Sequence, residues 1–160
     1  MIAHRFRPLA GFCLLVWLSS CSSVSNPASP PNDFSSGNFS MNIVAADTCS
    51  ALANPGRSRN WRIGLVTTGS AVSSYIQGYS ESAVISQTNL AGTASGSSLR
   101  LSGYMYDTID GCSNSLCYRA EGTITATQSG NVIRGTLNGV VTYDTTTCTA
   151  TDHKVTLTRQ

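Results

Sequence analysis

The chain has very little charge and almost no lysine. Only 11% of its 160 residues are charged, and Lys154 is the single lysine. Nucleic-acid recognition needs clustered Lys and Arg to neutralise phosphates, so that partner class is excluded. The formal charge of +2 comes from ten basic and eight acidic residues. Arg5 and Arg7 lie in a segment expected to be removed, which leaves eight against eight. Histidine is equally scarce: His4 and His153 are the only two. Histidine-dependent catalysis would therefore rest on His153, and no nucleophile-elbow sequence accompanies it. Long apolar runs are missing as well. The run Leu9 to Leu18 is about half the ~20 residues that a membrane-spanning helix requires. Serine and threonine stand where charge would otherwise be, which suits strand surfaces and turns better than exposed helices.

What is present is alternation. From Cys117 to Tyr143 the chain reads as two strands closed by a turn at Ser129-Gly130-Asn131. Tyr118, Ala120, Gly122, Ile124 and Ala126 share one face of the first strand, and Arg119, Glu121, Thr123, Thr125 and Thr127 the other. In the second strand Ile133, Gly135, Leu137, Gly139, Val141 and Tyr143 alternate with Val132, Arg134, Thr136, Asn138, Val140 and Thr142. Strict period two marks a strand with one dry and one wet face, and a short Gly-containing connection marks a hairpin.

The N-terminus has the character of a targeting segment. His4, Arg5 and Arg7 precede the short apolar run, the arrangement of a secretory signal. Leu18-Ser19-Ser20-Cys21 then resembles the bacterial lipobox, in which cleavage falls before a cysteine bearing a diacylglyceryl group. That resemblance implies Cys21 as the lipidated first residue of the mature chain, anchored in a membrane. Ser22 in place of aspartate implies, by the sorting pattern of such proteins, the outer membrane facing the periplasm. Ser22 to Asn38 is rich in Ser, Pro and Asn and lacks the apolar surface to fold, so it is expected to be a tether. The expected organisation is a signal peptide over 1–20, a lipidated tether over 21–38 and one domain over 39–160.

The domain reads as about eight short strands. Candidates are Phe39–Ala46, Trp61–Thr68, Val72–Tyr79, Ala83–Thr88, Leu90–Ser95, Ser98–Tyr106, the two hairpin strands, and a last strand within Thr146–Thr158. In the last one, apolar parity switches from Cys148 and Ala150 to Val155 and Leu157, which predicts a bulge or short turn near Asp152-His153. Thr48 to Asn54, capped by Asp47 or Thr48 and stopped by Pro55-Gly56, is the one short helix expected. Ser95-Gly96-Ser97-Ser98-Leu99-Arg100 echoes Ser129-Gly130-Asn131-Val132-Ile133-Arg134, as a hairpin used twice or as convergent turn chemistry. Many short strands and almost no helix give an all-β sandwich or barrel. Gly64, Gly103, Gly122, Gly135 and Gly139 at inward positions favour a small, closed, antiparallel up-and-down barrel, which also removes sticky sheet edges.

A short helix, the arginine-flanked Trp61 opening a strand, and Arg159 ending the last strand resemble the lipocalin-like (calycin) plan. The resemblance implies that Arg159 stacks on Trp61. Arg59 stands where that family has glycine, two places before the tryptophan. Arg57, Arg59 and Arg62 around Trp61 are read as packing over the ring and the barrel end.

Cys13 leaves with the signal. Cys49, Cys112, Cys117 and Cys148 remain, and an even number in an exported protein favours disulfides. Of the three pairings possible, sequence proximity favours Cys112–Cys117. In a closed barrel the first and last strands are neighbours, which favours Cys49–Cys148 for the other. A zinc set of Cys112, Cys117, Cys148 and His153 is formally available, but the oxidising compartment stands against it and it leaves Cys49 unpaired. Asp107 and Asp110 read as a solvated loop, or very weakly as calcium oxygens without the full EF-hand pattern. No metal, cofactor or catalytic residue is therefore assigned. The expected function is a lipid-anchored, non-enzymatic binding or structural module of the cell envelope. Its rivals are a carrier of a small apolar ligand in the barrel and a periplasmic inhibitor of a lysozyme or protease.

Overall fold

The computed structural model describes residues 34–52, 56–77, 85–108 and 118–160. Eight strands follow one another: β1 (Gly37–Val44), β2 (Ser58–Thr68), β3 (Ala71–Ile76), β4 (Ile85–Ser95), β5 (Ser98–Thr108), β6 (Tyr118–Ser129), β7 (Val132–Tyr143) and β8 (Thr146–Arg159). Each pairs antiparallel with its sequence neighbour, and β1 also pairs with β8, so the sheet closes into an up-and-down barrel. The segment expected to be a signal peptide (1–20), Cys21, Cys112 and Cys117 lie outside the described residues.

The alternation seen in the sequence decides which side chains enter the barrel. Tyr118, Ala120, Ile124 and Ala126 of β6 are buried, and so are Ile133, Leu137 and Val141 of β7. Met41, Ile43, Trp61, Ile63, Leu99, Leu101 and Met105 join them from β1, β2 and β5, each 0–1% exposed. An eight-stranded barrel has an interior just wide enough for side chains to fill, and here they fill it.

Several boundaries differ from the sequence reading. The two short strands expected over Ala83–Thr88 and Leu90–Ser95 are one strand, β4, which pairs along its whole length with β5. Asn89, between the two expected strands, occupies an exposed outward position where a polar side chain costs nothing. The folded part begins before the expected tether boundary at Asn38: Phe34 is buried in the core and β1 starts at Gly37. The helix expected over Thr48–Asn54 runs into residues outside the described set. Its described part consists of turns, with Cys49 N donating to Ala46 O and Leu52 N to Cys49 O.

The two ends of the barrel are unlike. At one, β2–β3, β4–β5 and β6–β7 are joined by two-residue turns led by Gly69, Gly96 and Gly130, all with positive φ, the hairpin geometry that matches strand twist. This turn end also holds both the N-terminal residues of the folded part and Gln160. The other end receives the longer connections 45–57, 77–84 and 109–117 and is called the loop end below. Within the wall, Gly103, Gly122 and Gly139 lie opposite one another on β5, β6 and β7. A Cβ on Gly122 would stand 2.2 Å from the Asn138 carbonyl oxygen, so these three strands approach more closely than any larger residue permits. Gly64 is not part of this inner set. It shares the outer face with Tyr75, whose ring occupies the place of its missing side chain.

The bulge predicted in the last strand is present. Leu137 pairs with His153 but Gly139 pairs with Ala150, so Thr151 and Asp152 together oppose one residue of β7. The extra residue resets the parity and turns His153 inward, where it is 0% exposed. Ala46 N donates to its Nδ1 at 3.1 Å. The proton is therefore on Nε2, which faces the Gly139 carbonyl at 3.3 Å.

Candidate functional site

The loop end contains a buried polar cluster built on Asp107. This residue is the penultimate one of β5 and is 0% exposed; it is not the solvated loop carboxylate the sequence suggested. Its neighbours in register are Ser86 on β4 and Tyr118 on β6. Across the lumen, β2 opens with Arg59, Trp61 and Ile63 at alternate positions, so the arginine and the indole both enter the barrel. Arg59 Nε donates to Asp107 Oδ2 at 2.5 Å. Trp61 Nε1 donates to Oδ1 at 2.9 Å, and the Ser86 hydroxyl donates to the same oxygen.

Three donors on one carboxylate make a strut that joins β2 to β4 and β5 through the interior. Burying an ionised carboxylate is unfavourable unless it is paired and hydrogen-bonded, and here both conditions hold. The same engagement means that Asp107 offers no free oxygen to calcium; Asp110 lies outside the described residues. Trp61 is further fixed by Tyr118, whose ring meets it edge to face at 5.2 Å.

Tyr118 is the odd member of the cluster. It is 1% exposed, and its hydroxyl has no hydrogen-bond partner among the described residues. Burial raises its pKa above the ordinary phenol value; Arg59 works against that shift and Asp107 with it. The phenol is thus a neutral, unused donor beside an ion pair.

The other sites weighed from sequence fall into place around this cluster. Cys49 and Cys148 form a disulfide across 99 residues, fastening connection 45–57 to the start of β8. Cys148 is therefore oxidised and both ring nitrogens of His153 are engaged, so neither can serve the zinc set. Among the described residues no three metal-ligating side chains converge. Arg159 does not stack on Trp61. It lies at the turn end, opposite Phe39 in the β1–β8 register, with its guanidinium 5.1 Å from the centre of that ring. It also donates to Ser35 O at 3.1 Å and to Ser35 Oγ at 2.7 Å, holding the N-terminal residues against the barrel. Trp61 sits near the opposite end, out of its reach. Of the three arginines around Trp61, only Arg59 turns inward. Arg62 is exposed on the outer face, and Arg57 lies 3.8 Å from Asp47 at the rim.

The protein is defined by this architecture: a closed eight-stranded antiparallel barrel with a packed lumen and the buried Arg59–Asp107 ion pair, consistent with the lipocalin-like plan. No family model, no curated protein and no solved structure matches the chain.

Proposed function

We propose that the chain is a lipid-anchored, non-enzymatic module of the bacterial envelope that works through the outside of its barrel, as a binding or structural unit. The observation that favours this over a carrier of apolar ligands is the lumen. The central positions are taken by Trp61, Met41, Leu101, Met105, Ile124 and Leu137, all 0–2% exposed. A lumen open to a ligand would leave such side chains with accessible surface. Leu18-Ser19-Ser20-Cys21 supports the anchor, and the Ser- and Pro-rich segment after it supports a spacer between membrane and barrel. The lipocalin-like family is proposed for the plan of the barrel only, since the arginine–tryptophan stack that the resemblance implied is absent.

A second reading, inhibition of a lysozyme or protease, is favoured by the Cys49–Cys148 bridge. It stiffens the longest connection at the loop end, and preorganisation lowers the entropy lost on binding. The first test is the mature N-terminus: expression in a Gram-negative host and mass spectrometry of the membrane fraction should show diacylated Cys21. An N-terminus elsewhere, or an unmodified Cys21, removes the anchor from the reading. Cross-linking of the anchored chain in intact envelopes should then capture a discrete protein partner. Capture of an added lysozyme or protease with loss of its activity selects the inhibitor.

A further inference from the structure

We propose that the turn end of the barrel docks on an anionic phospholipid surface through Arg62, Arg100, Arg134 and Arg159. The proposal rests on the lipid-anchor reading and names how the anchored barrel stands on its membrane.

Two observations point to this end. The first is the distribution of charge along the barrel. Arg57, Arg59, Arg119 and Lys154 each lie beside an acidic side chain. Those acids, Asp47, Asp107 and Glu121, stand toward the loop end, where the β7–β8 turn adds Asp144, and Asp152 sits in the bulge of β8. The described residues hold no other acid. Arg100 and Arg134 differ from the paired cations. Each is exposed on the outer wall, third from the turn that opens its strand. The cross-strand neighbours of Arg100 are Thr93 and Thr125, and those of Arg134 are Thr127 and Thr156. Neither has an acidic partner among the described residues. Only β6 separates their strands, which sets those strands about 10 Å apart. Arg62, also exposed, lies across β1 from Thr158, and Arg159 ends β8. Set against these four by sequence are only Asp33, next to Phe34, and a carboxylate on Gln160. In a chain with so little charge, this end keeps its cations unpaired.

The second observation is where the tether joins. Arg159 donates to Ser35 O and Ser35 Oγ, which pins the entry of the chain to the same end. The segment from Cys21 to Phe34 reaches at most about 45 Å, close to the ~40 Å that a strand of 12 residues such as β7 spans. An anchor of that reach keeps the barrel near the lipid without fixing its tilt. Basic side chains close to an anionic membrane each gain a modest attraction that fades within a Debye length. The anchor supplies the local concentration, so an attraction too weak to recruit a free protein is enough to orient a tethered one. With the turn end on the lipid, the acidic loop end and its disulfide face away, open to a protein partner.

The test uses the full lipidated chain, ¹⁵N-labelled and checked by mass spectrometry for diacylated Cys21, in nanodiscs containing a gadolinium-chelate lipid. With phosphatidylglycerol in the disc, amides of the turns at Gly96 and Gly130 should broaden more than those of 45–52 at the loop end. In phosphatidylcholine alone, or at high salt, the difference should shrink. Arg100 and Arg134 are exposed, so the Arg100→Gln/Arg134→Gln chain should keep the parent's fold. Each arginine removed should reduce the preference for the turn end about fivefold. Equal broadening at both ends in phosphatidylglycerol, or stronger broadening at the loop end, overturns the proposal. So does a preference that the double variant leaves unchanged, or one equally strong in phosphatidylcholine, which the tether alone would produce. Arginine-dependent binding to purified peptidoglycan in place of the disc assigns the surface to that carboxylate-bearing polymer and also overturns it. A chain without the diacyl group fails the anchor reading itself. A diacylated chain without the preference leaves the anchor standing and removes only its orientation.

Discussion

At the scale of single residues, the cluster at the loop end shows one group satisfied at every atom and one satisfied at none. Asp107 is tied by three donors, and Tyr118 beside it carries a hydroxyl without a partner among the described residues. Leaving a buried donor unsatisfied costs about 1–3 kcal/mol, so Tyr118→Phe should raise stability by about 1 kcal/mol at neutral pH. The effect should grow with alkalinity. The folded-state pKa of Tyr118 is raised above its ordinary value of 10.0, so its contribution is fully present below pH 10. Above that, the unfolded phenol ionises while the folded one keeps its proton, and stability falls by up to about 1.4 kcal/mol per pH unit until the folded pKa is passed. Urea unfolding of parent and Tyr118→Phe chains between pH 8 and 11.5 should therefore show a gap that widens in favour of Phe. A constant or narrowing gap means that the phenol does not stay neutral. None of this was legible in the sequence. Asp107 sits in Tyr-Asp-Thr next to a Gly- and Asn-containing stretch, where a carboxylate reads as loop. Its partners Arg59 and Trp61 lie 48 and 46 residues earlier on a strand across the lumen. Periodicity reports which face a residue takes, not what it meets there.

At the scale of elements, legibility follows the strength of alternation. The β6–β7 hairpin has an unbroken period of two and a Gly-led turn, and its limits agree with the reading to within a residue. The bulge in β8 could also be foreseen, because a switch in apolar parity inside one strand has few other physical causes. β4 reads in the sequence as two short strands, Ala83–Thr88 and Leu90–Ser95, because the pairing with β5 that holds it together is non-local. The glycines of the wall separate two causes of strain that sequence alone cannot. Gly130, at the turn, has φ 59 with open space where a Cβ would go. Alanine there should cost about 1–2 kcal/mol, the left-handed penalty alone. Gly122 has φ 148, and a Cβ would meet the backbone of β7 at 2.2 Å. Gly122→Ala should therefore cost clearly more than Gly130→Ala, because two strands must separate as well as one residue strain. Equal midpoints for the two variants in guanidinium melts would mean that the wall yields freely at this row.

At the scale of the molecule, the question is what keeps the barrel closed at β1–β8, the one seam that joins the two ends of the chain. Besides the Arg159 contacts at the turn end and the Ala46–His153 hydrogen bond, three larger ties cross it. A backbone ladder runs from Phe39–Arg159 to Val44–Lys154. Met41 and Ile43 pack beside Val155 and Leu157 in the core. The Cys49–Cys148 bridge lies just beyond the end of β1. The ladder and the packing act in the folded state, whereas the bridge acts chiefly by restricting the unfolded chain. A loop of about 100 residues corresponds to about 4.7 kcal/mol in the chain-entropy model, a large share of the 5–15 kcal/mol typical of a whole domain. Replacing Cys49 and Cys148 together by alanine should lower stability by about that amount and leave a folded barrel with its β-sheet circular dichroism intact. Cys112 and Cys117, close in sequence, could close a loop of about six residues worth only ~2 kcal/mol by the same formula, so removing them should cost less. Hydrogen exchange locates the effect: in the chain without Cys49 and Cys148, backbone amides of 45–52 and of the start of β8 should lose protection first, with β6 and β7 last. If the pair can be removed for less than about 1 kcal/mol, closure rests on the ladder and the packed core. A larger loss from the Cys112 and Cys117 change would instead mean that the loop end is the part in need of a covalent tie.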